Sequence, residues 1–477
     1  MLNSVVESRT KEDRPRVTQM LADWVASAQY SDLPTDIAEF AKRAMADTLG
    51  CAIAACAEHN VQDIIRTVGG EKGAACIWGT ALLTTARNAA LINGTMAHTY
   101  DFDDNNRSMF GHPSAPVIPA VMAIADESDV TGEEVILAYL LGVEVEGKLG
   151  QALTYEHNGR GWHTTPTIGA IGAAAAASKL LRLTSEQTRN ALGIAVSMAG
   201  GVRQNFGTDT KALHVGMAAQ NGGLAARLAA NGVTASPSAI EGHEGFFDMF
   251  TARDVIACDQ AISQLGTKFE ILNNVPKIYS SCSAVHTAVD IALAGLQSQQ
   301  IKVDDIKSIR CRASYHALNL MRYGVPKSHA EARFSIPYCI AASLIFGKLG
   351  IAEFSESAVS DPQVLALTKK VEVEIIPELS TQELFEKAHR AGEAFTVLEV
   401  VHQTAPIYEE RAMRPKGHPK SPLSTEDFHR KFIDCVSLAF SRTTAEKTWQ
   451  SVLSMEKMTH VKPSALLSQG ALHAANA

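Results

Sequence analysis

The sequence predicts a mainly α protein, built as a large all-helical domain plus a smaller α+β domain. Three observations carry that reading. Apolar residues recur at helical period from about Val17 to Leu265, punctuated by capping signals. After about Leu265 the pattern changes to short apolar/polar alternations separated by helical stretches, as half-buried strands and their covering helices require. Helical period then returns from Ser424 to Phe440. The expected limits are 1–265 and 405–477 for a discontinuous helical domain and 266–404 for the α+β domain. A length of 477 residues exceeds one ordinary core and suits two.

Taken in order, Pro34-Thr35 followed by Ile37, Phe40, Ala41 and Ala44 predicts an amphipathic helix running to about Cys56. Further helices are expected over Thr84–Ala97, Pro116–Ala125 and Thr131–Leu149. Thr184 and Gln187 have the spacing of a capping box. The small-residue run Ile168–Ala177 and the stretch Lys211–Ala230 read as helices whose bare surfaces let neighbours approach closely. In the second part, Ile306–Arg312, Val371–Ile375 and Phe395–Val400 alternate as strands, interleaved with helices over Ser283–Leu296, His329–Phe346 and Thr381–His389. The tail past His460 is expected to fray.

Composition bounds the partners. Apolar residues make up 46% and charged residues 20%, ordinary values for a globular protein, and the net charge of -8 argues against nucleic acid or an anionic membrane as the main partner. A local pocket can still be positive and take small anions. Cys51, Cys56, Cys76, Cys258, Cys282, Cys311, Cys339 and Cys435 form no C-x-x-C pair and suit reduced thiols. Met1 to Arg16 has no apolar signal region, and no apolar run reaches spanning length. A cytoplasmic protein is expected. Neither G-x-G-x-x-G nor G-x-x-x-x-G-K occurs, so nothing points to nucleotide binding.

Against this background, Asp101-Phe102-Asp103-Asp104, followed by Gly111-His112-Pro113, crowds three carboxylates that must find cations or donors. Distant loops each supply an ionisable group at a helix end: His163 in Gly161-Trp162-His163, Lys211 and His214 in Thr210-Lys211-Ala212-Leu213-His214, Lys277 and His286 around Tyr279 and Cys282, and Tyr323 before Glu331-Ala332-Arg333-Phe334. Singly, each has an ordinary account as a cap, a core group or a solvated pair. Together they are what a rigid scaffold delivers to a catalytic site.

The order of these motifs, with Arg414-Pro415-Lys416-Gly417-His418-Pro419 near the end, resembles the MmgE/PrpD family over about residues 17–455. That family includes 2-methylcitrate dehydratases, cis-aconitate decarboxylases and an iminodisuccinate epimerase. The resemblance implies an all-helical domain with an α+β lid, a homodimer, and a site between the domains that uses no metal or organic cofactor. It implies Asp101, His112, His163, Lys211, Lys277 and Tyr323 as catalytic residues. Asp103, Asp104, Asn105, His214 and His286 are implied as substrate-binding or supporting ones. On this reading a histidine moves the proton, the lysines stabilise carboxylate and carbanion charge, and Tyr323 is an auxiliary donor.

The chain departs from the family pattern at Ser280, where Pro is frequent, at Asn105, where decarboxylases tend to have Thr, and at Ala212, where many relatives have Pro. The run Asn205-Phe206-Gly207-Thr208 looks more like the epimerase branch. The expected function is a cofactor-independent lyase, a dehydratase or decarboxylase, of a small di- or tricarboxylic acid. The alternatives are an epimerase of an amino- or iminodicarboxylate and a non-catalytic carboxylate-binding protein. A magnesium-dependent isoprenoid synthase fits poorly, since Asn105, Asn106 and Arg107 follow Asp104 instead of the spaced Asp of D-D-x-x-D.

Overall fold

The computed structural model describes residues 16–251 and 260–467. The polar N-terminal stretch up to Pro15, Cys258 and the last ten residues of the tail lie outside these. The expected helices form with small shifts at their ends: Thr35–Ala54, Ala86–Thr99, Ser114–Glu127, Gly132–Gly159, Thr164–Leu180, Ser185–Met198 and Thr210–Ala230. Thr184 and Gln187 make the reciprocal capping box, as do Thr131 and Glu134. The Gly132–Gly159 helix runs ten residues beyond the expected Leu149, because Leu149, Leu153 and Tyr155 continue its buried stripe.

The centre of this part is the alanine-rich helix Thr164–Leu180, in which every residue but Lys179 is buried. Its neighbours Gly132–Gly159 and Thr210–Ala230 approach closely because its side chains are small. The same device sets Ala86–Thr99 against Thr210–Ala230: a Cβ on Gly216 would lie 2.1 Å from the Leu91 carbonyl oxygen, so only glycine fits. This contact brings the end of the first helix, carrying His98, beside the start of the second, carrying Lys211.

The second part holds a four-stranded sheet in the order Val371–Ile375, Ile306–Ala313, Thr396–His402, Tyr408–Ala412. The first pair is parallel (Cys311 opposite Val373) and the others antiparallel (Cys311 opposite Leu398, Leu398 opposite Glu410). Ile306, Ile309, Cys311, Leu398 and Val400 point to a core shared with the helices His286–Gln297 and Ile336–Phe346. The edge strand Tyr408–Ala412 lies beyond residue 404; the exposed Glu409, Glu410 and Arg411 obscure its alternation. The expected single helix over 329–346 is two, His329–Ala332 and Ile336–Phe346. Ser335 Oγ accepts from Tyr338 N at 3.1 Å as an N-cap, and Pro337 occupies the first turn.

The chain then returns to the first part. Thr425–Val436, boxed by Ser424 and Asp427, buries Phe428, Phe432 and Val436 against Thr35–Ala54. Full burial of such a side chain contributes about 1.5–3 kcal/mol. The tail does not fray at His460 as expected. Val461 N donates to Val130 O at 2.9 Å, and Leu467 is buried beside the short strand at Ala75–Cys76. Among the described residues no helix is long and apolar enough to cross a membrane. The seven described cysteines are unbridged and buried.

Candidate active site

The acidic stretch begins where the helix Ala86–Thr99 stops. Asp101 adopts a left-handed conformation with φ of 51°, which aspartate tolerates better than most residues at a cost of about 1–3 kcal/mol. Three cations from distant segments fasten the turn through consecutive carbonyls. Arg333 Nε donates to Tyr100 O at 3.1 Å, Lys277 Nζ to Asp101 O at 2.7 Å and Lys431 Nζ to Phe102 O at 2.7 Å. Ser280 Oγ adds a second donor to Tyr100 O at 2.9 Å. A two-residue ladder, Asn105 opposite Val275 and Asn106 opposite Asn274, sets Lys277 in register with Asp101.

Asp101 Oδ1 receives two ammonium groups, Lys277 at 2.8 Å and Lys211 at 3.1 Å, and His112 Nε2 stands 3.5 Å away. Burial alone would raise this carboxyl; the two lysines outweigh it and hold it well below the usual carboxylate range. Lys211 is lowered by burial and by Lys277, against the upward pull of Asp101, and its Nζ also lies 2.6 Å from His98 Nε2. Phe206 and Phe334 present their rings to it, at 5.5 and 5.3 Å from Nζ to the centroids.

Behind them, Asp103 is completely buried and takes His98 Nδ1 at 3.0 Å from each carboxylate oxygen. His112 Nδ1 lies 3.0 Å from its Oδ2, at an angle too bent for a hydrogen bond. Burial would raise Asp103, but His112 and His98 keep it well below its ordinary value. His98 is itself lowered to about 3 by burial, so it is neutral near pH 7. The contacts then assign its tautomer: Nδ1–H donates to Asp103, and Nε2 accepts from Lys211. Burial likewise lowers His112 and His163, and His163 Nδ1 pairs with His214 Nδ1 at 3.2 Å as one donor and one acceptor.

Asp101, His112, His163, Lys211 and Asn105 line one cleft of about 220 Å3, together with Arg107, Phe110, Ser283, His316, Phe385, His389, Arg414 and His418. Its permanent charges are three cations, Arg107, Lys211 and Arg414, against one carboxylate, Asp101. The remaining expected residues stand outside the lining. Lys277, Asp103 and His214 back it directly. Asp104 accepts from Ser114 Oγ and Asn274 Nδ2, both at 2.7 Å, and burial pushes it up to about 8. His286 contacts Ser281 O through Nε2 at 3.2 Å, and Tyr323 donates its hydroxyl to Phe206 O at 3.0 Å. His98, Arg107 and Arg414 were not singled out as site residues from sequence. The signal for His98 was its place one helical turn before Asp101, and that for Arg414 its place in the C-terminal segment that carries the family resemblance; Arg107 carries none, because the cleft is assembled from distant loops.

His98, Asp101, Asp103 and His112 could offer four ligand atoms within 4.8 Å of one another, a spacing that suits a metal ion. Their charges do not. Two ammonium groups already occupy Asp101 Oδ1, and one of them occupies His98 Nε2, so a divalent cation there would face direct repulsion.

Comparison with known proteins places the chain in a family. The MmgE/PrpD N-terminal domain model matches residues 19–258 and the MmgE/PrpD C-terminal domain model residues 279–457. The chain is 27% identical over 455 residues to cis-aconitate decarboxylase of Homo sapiens, covering 93% of this chain and 92% of that protein. It is 26% identical over 485 residues to cis-aconitate decarboxylase of Aspergillus terreus, covering 96% of each. It is 26% identical over 397 residues to the probable 2-methylcitrate dehydratase of Saccharomyces cerevisiae, covering 75% of this chain and 74% of that protein. The chain therefore belongs to the MmgE/PrpD family and is an enzyme of the lyase type.

Proposed function

We propose that the chain is a cofactor-independent lyase that removes water or carbon dioxide from a small di- or tricarboxylic acid. The carrying observation is the charge of the cleft: three permanent cations, Lys211 among them, and one carboxylate, which Lys277 behind the wall neutralises. Such a cleft favours a polyanion and disfavours neutral or cationic ligands. Relatives named for a decarboxylation and for a dehydration support the shared chemistry.

Lys211 binds the carboxylate next to the reacting carbon. His112 and His163 are both neutral near pH 7 and able to accept a proton; we assign that role to His112, which stands beside Asp101 and has Asp103 to stabilise the imidazolium that forms. In a dehydration, His112 takes the proton from carbon, the electron pair forms the double bond, and the hydroxyl leaves as water with a proton from Lys211. In a decarboxylation, the C–C bond breaks, CO2 leaves, and the electron pair left on carbon takes that proton instead. Lys211, lowered by burial, is a better acid than a free lysine. Both routes build charge beside a carboxylate, where the fixed ammonium group stabilises it.

The same reading includes a homodimer in the cytoplasm and an α+β domain, extended to the strand at 408–412, closing over the helical one. A second reading, an epimerase, is favoured by two histidines, His112 and His163, lining one cleft, as two-base proton exchange requires. Incubating the protein with a panel of di- and tricarboxylic acids in deuterated water, followed by NMR, separates the possibilities. A lyase loses water or CO2, an epimerase places solvent deuterium in otherwise unchanged acid, and a binding protein does neither. Turnover is expected to survive dialysis against EDTA, and its loss would sink the cofactor-independent reading.

A further inference from the structure

The Arg414-Pro415-Lys416-Gly417-His418-Pro419 segment takes no part in the chemistry above, yet Arg414, Pro415 and His418 line the cleft. It is fastened against the site. Lys416 N donates to Asp290 Oδ2 at 2.8 Å, and Gly417 N donates to Ser421 O at 2.9 Å. Gly417 has φ of 88°, and a Cβ there would fall 2.3 Å from Pro276 O, so the segment is locked against the residue preceding Lys277. On the facing loop, Arg107 N donates to Asn273 O at 3.2 Å and its Nη2 to His389 O at 3.0 Å.

Neither guanidinium has a carboxylate partner among the described residues. Arg66, Arg182 and Arg430, which are more exposed, each pair with an acid, while the buried Arg203 and Arg333 also lack one but spend their donors on backbone carbonyls. Burial and the Arg414 charge lower Arg107. His389 and His418 are each lowered to about 4, first by burial and then by the arginines around them, so near pH 7 the charge at this end belongs to the guanidinium groups. The wall on this side is made of rings, Phe110 beside His316 and His389, with Phe385 stacked on His316 at 4.7 Å. An anion in the cleft therefore meets permanent positive charge at Lys211 and at the arginine pair.

We propose that Arg107 and Arg414 form a second carboxylate-binding end of the cleft, which holds the carboxylate remote from the reacting carbon. It thereby selects acids with two or more carboxylates over monocarboxylates. This rests on the reading of the cleft as the site of a carboxylic-acid lyase. A planar guanidinium gives bidentate contacts that lysine cannot, so the Lys211 end and the arginine end recognise carboxylates differently.

The test measures binding by calorimetry and NMR titration, using propane-1,2,3-tricarboxylate and butyrate as probes. The proteins are the native chain, Arg107→Gln, Arg414→Gln and Arg414→Lys. Loss of a charged hydrogen-bond donor is expected to weaken the tricarboxylate roughly 10- to 100-fold in each Gln variant. Butyrate affinity is expected to stay level and Arg414→Lys to recover part of the loss. An unchanged tricarboxylate affinity in Arg414→Gln, or an equal loss for butyrate, would overturn the proposal. The two readings fail separately. A native protein that turns over no acid, while Arg414→Gln still loses the tricarboxylate selectively, removes the lyase and leaves the subsite. Native turnover with an unaltered KM in Arg414→Gln removes the subsite and leaves the lyase.

Discussion

Replacing Lys277 by methionine keeps the apolar stem and removes one of the two ammonium groups on Asp101. Lys277 Nζ donates to Asp101 O at 2.7 Å and to Oδ1 at 2.8 Å, with the lysine 1% exposed. Unit charges this close attract by about 6 kcal/mol at an effective dielectric of about 20. Breaking a buried pair from one side costs about 3–5 kcal/mol once desolvation is included. Asp101 keeps Lys211 at 3.1 Å, so it stays ionised at neutral pH, but its carboxyl moves up toward the ordinary range. A carboxyl held low in the folded chain contributes stability that is present above its unfolded value and lost as pH falls through the folded one. The difference between native and variant is therefore expected at about 3–5 kcal/mol near pH 7, shrinking below about pH 4. Turnover is expected to fall at least roughly 100-fold, because the left-handed turn at Asp101 loses its carbonyl donor and Lys211 must serve the carboxylate alone. Urea denaturation at pH 7 and pH 3, with initial rates on the active acid, reads both. Native turnover, or a stability loss that ignores pH, would refute the claim that Lys277 acts by holding Asp101.

Three further substitutions separate neighbouring roles. Asp104 is raised to about 8 by burial, so the folded chain holds a proton there that the unfolded chain releases above about 4, and stability falls as pH rises between those values. Asp104→Asn is expected to flatten that slope in urea midpoints between pH 5 and pH 8 and to keep turnover; a 100-fold loss of rate would instead give Asp104 a catalytic role. His98→Gln breaks the link from Asp103 to Lys211 and is expected to lower turnover by about 10²-fold, whereas an unaltered rate would show that Lys211 needs no orienting partner. Gly216→Ala would place a Cβ 2.1 Å from Leu91 O and 2.3 Å from Thr95 Oγ1, a steric cost of about 1–3 kcal/mol that calorimetry reads as a lower Tm. An unchanged Tm would mean that the two helices separate freely.

Much of this molecule could be read from local pattern. The helices around Ile168 and Lys211 were legible because small residues and helical period say the same thing over Ile168–Ala177 and Lys211–Ala230. Val371–Ile375 was legible because its alternation is regular, whereas Tyr408–Ala412 was missed because an exposed edge strand carries charge at consecutive positions. The break at Ser335 was hidden by apolar residues on both sides of it. At the site, carboxylates and lysines stood out by type, but which of them meet is a matter of long-range contact. Nothing local tells that Asp104 turns away to Ser114 and Asn274 while Asp101, three residues earlier, takes both lysines. His98 meets Lys211 only through the helix contact at Gly216, which no local pattern reveals.

The three carbonyls of Tyr100, Asp101 and Phe102 explain why such separate segments converge here. Each takes a donor from a different part of the chain: Arg333 from the α+β part, Lys277 from the connection into it, and Lys431 from the helix that returns to the first domain. Lys431 also pairs with Asp47 at 2.7 Å, and Arg333 lies 5.4 Å from the centre of the Tyr100 ring. A left-handed aspartate costs energy in an isolated loop. In the folded chain the donors from all three segments offset that cost. Asp101 is thus presented to Lys211 and His112 by the completed assembly of both parts, which ties formation of the charged floor of the cleft to formation of the fold itself.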